Sequence, residues 1–376
     1  MNVRIEKLKE IGQSLWYDNI TRKKLDDGSL KNMIQREEIR GITSNPSIFD
    51  KAISQSTDYN DQIKKLTKEG LEKEQIYERL SVSDIKRAAD LFGSLYDETE
   101  GRDGFVSLEV SPYLAYQTQE TIAEAGNLWN LVERPNLMVK IPATVEGLPA
   151  ITESIAAGLN INVTLIFSLE RYQQVIDAYL TGLEKRSAVG LPLDRISSVA
   201  SFFISRIDTK VDGKLEKILE GNSSAEEEKI RSLQGKAGLA SGKLAYQIFL
   251  ENFENQGERF RKLQSLGAQV QRPLWASTST KNPDYPDTMY VDNLVAPHTV
   301  NTVPPQTLES FFDHGKADLS VEAGLANYQQ AYQELGEVGV DIDQVTKELE
   351  QEGVKSFANS YTSLLKTLQE RMQEFS

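Results

Sequence analysis

The chain alternates two hydrophobic rhythms. Short runs rich in apolar and β-branched residues occupy positions 14–20, 39–45, 104–111, 137–143, 161–167, 198–205, 272–278 and 299–303. Between them, longer stretches carry apolar residues three or four apart. The first rhythm predicts strands and the second helices. Positions 169–184 illustrate the helical pattern. Leu169, Tyr172, Val175, Ile176, Tyr179, Leu180 and Leu183 share a face, and Ser168 is placed to cap the N-terminus. Strand alternating with helix predicts parallel pairing through right-handed crossovers. Eight such strands suggest a closed barrel, with an open doubly wound sheet as the competing arrangement.

Two connections are long. Positions 51–103 and 208–271 are mostly helical in pattern, and each feeds directly into another apolar strand, so both read as helical insertions within one body spanning 1–376. The second contains a polar break, Gly221-Asn222-Ser223-Ser224, followed by the acidic run Glu226, Glu227 and Glu228. The tail, 341–376, has Val354, Phe357, Tyr361, Leu364, Leu365 and Leu368 at helical spacing, which predicts a final helix packed on the body. No internal repeat or low-complexity linker interrupts the pattern.

Parity within the strands carries the chemical signal, because alternate side chains face opposite sides. Leu137, Val139 and Ile141 share one face, leaving Lys140 on the other. Val106, Leu108 and Val110 oppose Ser107, Glu109 and Ser111; Ile161, Val163 and Leu165 oppose Asn162 and Thr164; Phe202 and Ile204 oppose Ser201 and Phe203. In a barrel the apolar faces lie under helices and the polar ones point inward, toward the C-terminal strand ends where barrel enzymes work. Lys140 admits two readings. A strand lysine commonly marks a solvated edge, but Met138, Val139, Ile141 and Pro142 are poor edge residues. An interior lysine loses hydration, which favours the neutral amine, a nucleophile for carbonyl carbon. Glu109 is either an acid–base group or the ion-pair partner of Lys140.

Composition narrows the chemistry. With no Cys and two His, thiolate and multi-histidine metal sites are excluded, so acid–base work falls to carboxylates, Lys, Tyr or water. The formal net charge of −14 argues against a nucleic-acid partner. No apolar run approaches the roughly 20 residues that span a bilayer, and the N-terminus has no signal-like apolar segment. A cytoplasmic protein with no membrane partner is expected, and nothing in the outer helices excludes a homo-oligomer.

Other features read as structural. Asn45 or Ser47 suits a helix cap at Ile42-Thr43-Ser44-Asn45-Pro46-Ser47. Gly238-Leu239-Ala240-Ser241-Gly242-Lys243 is one residue short of a phosphate loop and reads as small-residue helix packing. Lys236 and Lys243 are read as surface charges and His298 as a loop residue. Trp16, Trp129 and Trp275 are read as core aromatics, Trp16 and Trp275 near the polar strand ends.

Gly41-Ile42-Thr43-Ser44-Asn45-Pro46-Ser47, Val139-Lys140-Ile141-Pro142-Ala143-Thr144, Asn162-Val163-Thr164-Leu165-Ile166-Phe167-Ser168 and Ser201-Phe202-Phe203-Ile204-Ser205-Arg206 occur in this order. With Gly353-Val354-Lys355-Ser356-Phe357-Ala358 in the tail, the chain resembles the transaldolases, particularly their longer bacterial subfamily. The resemblance implies a single (β/α)8 TIM barrel with additional helices and a C-terminal helix. It also implies transfer of a dihydroxyacetone unit between sugar phosphates through a Schiff base, with no metal or organic cofactor. It makes Lys140 the amine, Glu109 with Thr164 the proton-transfer pair acting through water, and Asp18 the carboxylate that takes the C4 hydroxyl proton. Thr43, Asn45, Asn162, Ser201 and Phe203 would surround the three-carbon unit, and Arg206, Ser277, Ser279 and Lys281 the phosphate. Two positions depart from the pattern. Lys281 stands near where shorter transaldolases carry a second arginine, and Gly41 where an acidic residue often precedes the Thr-Ser-Asn-Pro-Ser segment. Fructose 6-phosphate aldolases of the same superfamily carry Gln and Tyr at the positions of Glu109 and Phe203, so the resemblance favours transfer over release of dihydroxyacetone. A catalytically silent sugar-phosphate-binding barrel would not need Lys140, Glu109 and Asp18 together.

Overall fold

The computed structural model describes residues 2–220, 224–255 and 257–375. Its strands are β1 (Gln13–Tyr17), β2 (Gly41–Ile42), β3 (Phe105–Glu109), β4 (Leu137–Pro142), β5 (Ile161–Ile166), β6 (Ser198–Phe203), β7 (Gln271–Ala276) and β8 (Thr299–Val303). They pair in chain order into a closed barrel, β1 lying parallel to both β2 and β8. Closure removes the open-sheet alternative and explains why strands such as β4, β5 and β6 are buried along their whole length, one face under helices and the other in the barrel.

The strand at 39–45 is shorter than its pattern suggests. Asn45 Oδ1 accepts from Ile48 N at 3.1 Å and Pro46 occupies the first turn, so the helix Pro46–Ser54 begins where the strand would have continued. Gly41 is sterically required, since a Cβ there would sit 2.6 Å from the Trp16 ring. That contact gives a physical reason for the absent acidic side chain. Alternation also fails in β5. Leu165 has φ +60°, and the register to β6 shifts between Val163 and Ile166. Leu165 therefore leaves the outward set expected from parity. A Cβ at Gly353 of the C-terminal helix would lie 3.0 Å from Leu165 Cδ2, so the glycine lets that helix approach the bulge.

The N-terminal end of the barrel is closed by charge. Asp103 accepts from Trp16 Nε1 at 3.0 Å and Arg40 Nε at 2.8 Å, and Arg272 Nη1 lies 3.4 Å away. Arg272 also donates to Ser14 Oγ at 2.7 Å. Trp16 thus belongs to this end; Trp275 is fully buried and Trp129 half-buried.

The connection at 51–103 holds the helices Asn60–Lys68 and Lys73–Glu98; Arg22 Nε, from outside it, donates to Asp84 at 2.6 Å, and Tyr59 OH within it donates to the same carboxylate at 2.9 Å. The polar break at Gly221, Asn222 and Ser223 lies outside the described residues; the helix Ser224–Leu233 follows and carries the acidic run. Gly238 and Gly242 fall in the helix Ala237–Phe249 against Ile204, Asp208 and Leu294, as close packing demands. Lys243 corrects the surface-charge reading. It is 1% exposed, and its Nζ donates to the carbonyls of Ser320, Val321 and Ala323 at 2.7, 3.1 and 3.1 Å. Burial lowers its pKa to about 8. Periodicity missed it because the acceptors belong to a turn distant in sequence. Lys236 is half-buried, and His298 is exposed in the loop before β8.

The C-terminal helix, Ile342–Phe375, buries Val354, Phe357, Tyr361, Leu364, Leu365 and Leu368, the face its spacing predicts. Among the described residues no helix is long and apolar enough to cross a membrane, and no cluster of His, Asp or Glu is arranged to hold a metal ion.

Candidate active site

Register places the chemistry. Glu109 pairs with Lys140 across β3 and β4, and Lys140 with Asn162 across β4 and β5, so the three side chains form one interior row. Lys140 Nζ lies 3.2 Å from Glu109 Oε2 and donates to the carbonyl of Ser44 at 3.3 Å. Lysine and glutamate are 5% and 9% exposed. The ion pair expected as one role of Glu109 therefore exists, beneath a cavity where proton transfer is also possible.

A cavity of about 630 Å³ opens above this row at the C-terminal strand ends. Asp18, Thr43, Asn45, Lys140, Thr164, Ser201, Phe203, Arg206, Ser277, Ser279 and Lys281 line it, gathering expected residues from six strands or their ends. Glu109 and Asn162 lie off the cavity wall. Asn162 Oδ1 accepts from Ser201 Oγ at 2.7 Å and its Nδ2 donates to Ser107 Oγ at 3.0 Å. Both its polar ends are engaged, so in this conformation it orients Ser201. Asn45 spends its oxygen on the helix cap, which leaves its Nδ2 as the group to offer a ligand.

Burial pushes the carboxyl of Asp18 up; Lys140, a hydrogen bond from Thr43 Oγ1 at 2.7 Å and Lys281 oppose that. Burial likewise pushes Glu109 up, against the ammonium of Lys140, while Asp18 adds to the rise. Both acids are thus closer to accepting a proton than a solvated carboxylate is. Thr164 Oγ1 is buried with no hydrogen-bond partner among the described residues, a free hydroxyl at the cavity floor.

The outer wall is cationic. Burial, Arg206 and Lys51 all lower the pKa of Lys281, Asp18 opposing them, so these cations share a field. Burial also lowers Arg206, whose guanidinium lies 5.3 Å from the Phe203 ring centroid. Lys281 donates to Ser279 Oγ at 2.5 Å. Ser277, with φ +54°, hydrogen-bonds Ser205 through the hydroxyls at 2.9 Å. A non-glycine residue in that region stores strain of about 1–3 kcal/mol, and here it lies at a cavity lip.

Sequence reasoning missed Lys23, Lys51 and Phe357 on the cavity wall. Lys51 had a usable signal: Ser47, Ile48, Lys51, Ala52 and Gln55 recur at helical spacing and all line the cavity. Phe357 had only its place in the tail signature, because its spacing is that of a core residue.

The chain matches the model of the family described as Transaldolase/Fructose-6-phosphate aldolase over residues 15–368. A transaldolase of Saccharopolyspora erythraea is 47% identical, with 99% of each chain covered. One of Mycolicibacterium smegmatis is 46% identical, covering 98% of this chain and 97% of the relative. One of Mycobacterium tuberculosis is 45% identical, covering 97% and 96%. With the closed barrel and its interior lysine, these similarities identify the chain as a member of the transaldolase/fructose-6-phosphate aldolase family.

Proposed function

We propose that this transaldolase works through Lys140, Glu109, Asp18 and Thr164. The observation that carries the reading is Lys140 Nζ, 3.2 Å from Glu109 Oε2 at the floor of a cavity with a cationic outer wall. The donor is fructose 6-phosphate or sedoheptulose 7-phosphate, and the acceptor erythrose 4-phosphate or glyceraldehyde 3-phosphate. The amine of Lys140 attacks the ketose C2 carbonyl to give a carbinolamine. Glu109, its proton affinity raised by burial, protonates the leaving hydroxyl by way of water held with Thr164. Water departs and an iminium forms. Asp18 then takes the C4 hydroxyl proton, and the C3–C4 bonding pair moves to C3, leaving the three-carbon unit as an enamine. Burial favours that uptake, because it raises the carboxyl's affinity for the proton. Addition to the acceptor aldehyde and hydrolysis run these steps in reverse.

Binding groups fit the same division. Thr43, Asn45 and Ser201 offer hydroxyl and amide partners to the dihydroxyacetone unit, with Asn162 orienting Ser201. Arg206, Ser277, Ser279 and Lys281 suit the phosphate, with Lys51 adding charge. This local field answers the overall charge of −14, since an anionic substrate is drawn by the field at the cavity and not by the net charge.

Borohydride added with fructose 6-phosphate is expected to fix a three-carbon adduct on the peptide containing Lys140. A folded protein left unlabelled there would sink the assignment. Turnover of fructose 6-phosphate should require erythrose 4-phosphate; rapid release of dihydroxyacetone without it would indicate an aldolase.

A further inference from the structure

Phe357 reaches the reacting nitrogen from an element remote in sequence. Its ring centroid lies 5.4 Å from Lys140 Nζ, the side chain is 7% exposed, and it lines the cavity. The helix that carries it is strapped across the strand ends. Glu350 pairs with Arg171 at 3.3 Å, Glu348 with Lys210 at 2.9 Å, and Glu352 with Lys210 at 2.5 Å. One turn before Phe357, Gly353 packs against Leu165 and Phe167; one turn after, Tyr361 meets the rings of Tyr77 and Tyr113. The ring is therefore held in place over the nitrogen.

The chemistry of that nitrogen shows what the ring can do. As an ammonium, Nζ carries three hydrogens, and Glu109 and the Ser44 carbonyl take two of them. Condensation forms the Nζ–C2 bond and expels the carbonyl oxygen as water. The protonated imine keeps one hydrogen on nitrogen and the full positive charge, so at most one of those hydrogen bonds survives. A π face needs no hydrogen to attract a cation. When the C3–C4 bond breaks, its electron pair neutralises the iminium to an enamine, and the ring's advantage disappears with the charge.

We infer that Phe357 is a catalytic residue whose ring face stabilises the Schiff-base cation during the steps in which Lys140 has given up its hydrogen bonds. The inference rests on the assignment of Lys140 above. It predicts a preference for the iminium over both the carbinolamine and the enamine, which packing alone would not produce.

The test is borohydride trapping and steady-state kinetics with fructose 6-phosphate and erythrose 4-phosphate. Phe357→Leu keeps an apolar side chain and should lower both the trapped fraction and kcat roughly thirtyfold, the scale of a desolvated cation–π contact. The Michaelis constants should change little, and Phe357→Tyr should restore most of the loss. Phenylalanines with one, two and three ring fluorines at position 357 keep the shape while draining the π face, and should lower kcat stepwise. Wild-type trapping and turnover in a folded Phe357→Leu variant would overturn the inference. So would a loss in that variant that the fluorinated rings do not reproduce, since the ring would then act by packing. The fluorinated series decides the matter if Phe357→Leu fails to fold. Wild-type enzyme unlabelled at Lys140 would instead refute the underlying assignment.

Discussion

The two ends of the barrel handle buried charge in opposite ways. At the N-terminal end, Asp103 is surrounded by Arg40, Arg272, Trp16 Nε1 and Ser14 Oγ, so each carboxylate oxygen has donors. At the C-terminal end, Asp18 accepts from Thr43, Glu109 shares one lysine with the Ser44 carbonyl, and burial raises both acids despite that lysine. The same side-chain chemistry holds the fold where it is saturated with partners, and remains available to a substrate where it is under-compensated.

The sharpest break of this comparison removes the proposed nucleophile. Lys140→Ala should abolish transfer while the barrel stays folded, as circular dichroism and an activity assay would report together; near-normal turnover would contradict the mechanism. At the opposite end, Asp103→Ala leaves two guanidinium groups without their shared carboxylate. It should cost about 3–5 kcal/mol of stability, the range for breaking a buried pair. Urea unfolding measures that loss, and the folded fraction should keep its kcat. A stable Asp103→Ala protein would show that this end does not hold the fold.

Effects on affinity and stability sharpen the contrast. Lys281→Ala should raise the Michaelis constant for phosphorylated substrates about tenfold with kcat nearly unchanged, as expected for loss of a charged hydrogen bond to the phosphate. An unchanged constant would return Lys281 to the surface. Asp18→Asn should abolish cleavage yet stabilise the protein by about 1 kcal/mol near neutral pH, a trade-off common at active sites. The sign follows from linkage. The folded pKa of Asp18 is raised, so its favourable contribution is complete below the unfolded carboxyl pKa and is lost as pH rises through the folded value. The melting temperature of Asp18→Asn relative to wild type should therefore climb with pH. A gap that narrows with pH would mean that the carboxylate is better compensated than its surroundings suggest.

Legibility in the sequence tracks the range of the interaction. Lys140, Glu109, Asn162 and Ser201 were readable because a period of two, with apolar neighbours on the alternate face, leaves one direction for a polar group in a barrel. Leu165 broke that rule because a bulge reversed its direction next to Thr164. Lys243 resembled a surface residue because the carbonyls that hold it come from residues 320–323. Asp103 carried no signal, for it precedes β3 and its partners lie on β1, β7 and the segment just before β2.

The sequence by itself determined the alternation of strand and helix, the inward face of the strands with clear parity, the motifs that carry the family resemblance and an interior position for Lys140. All of these depend on neighbours a few residues apart or on short local signatures. Tertiary structure alone decided closure of the sheet, the pairing of Lys140 with Glu109, the cationic wall of Arg206, Lys281 and Lys51, and the placing of Phe357 over the amine. The physical reason is that local periodicity gives the direction of a side chain relative to its own element, whereas the partner it meets depends on how separate elements pack.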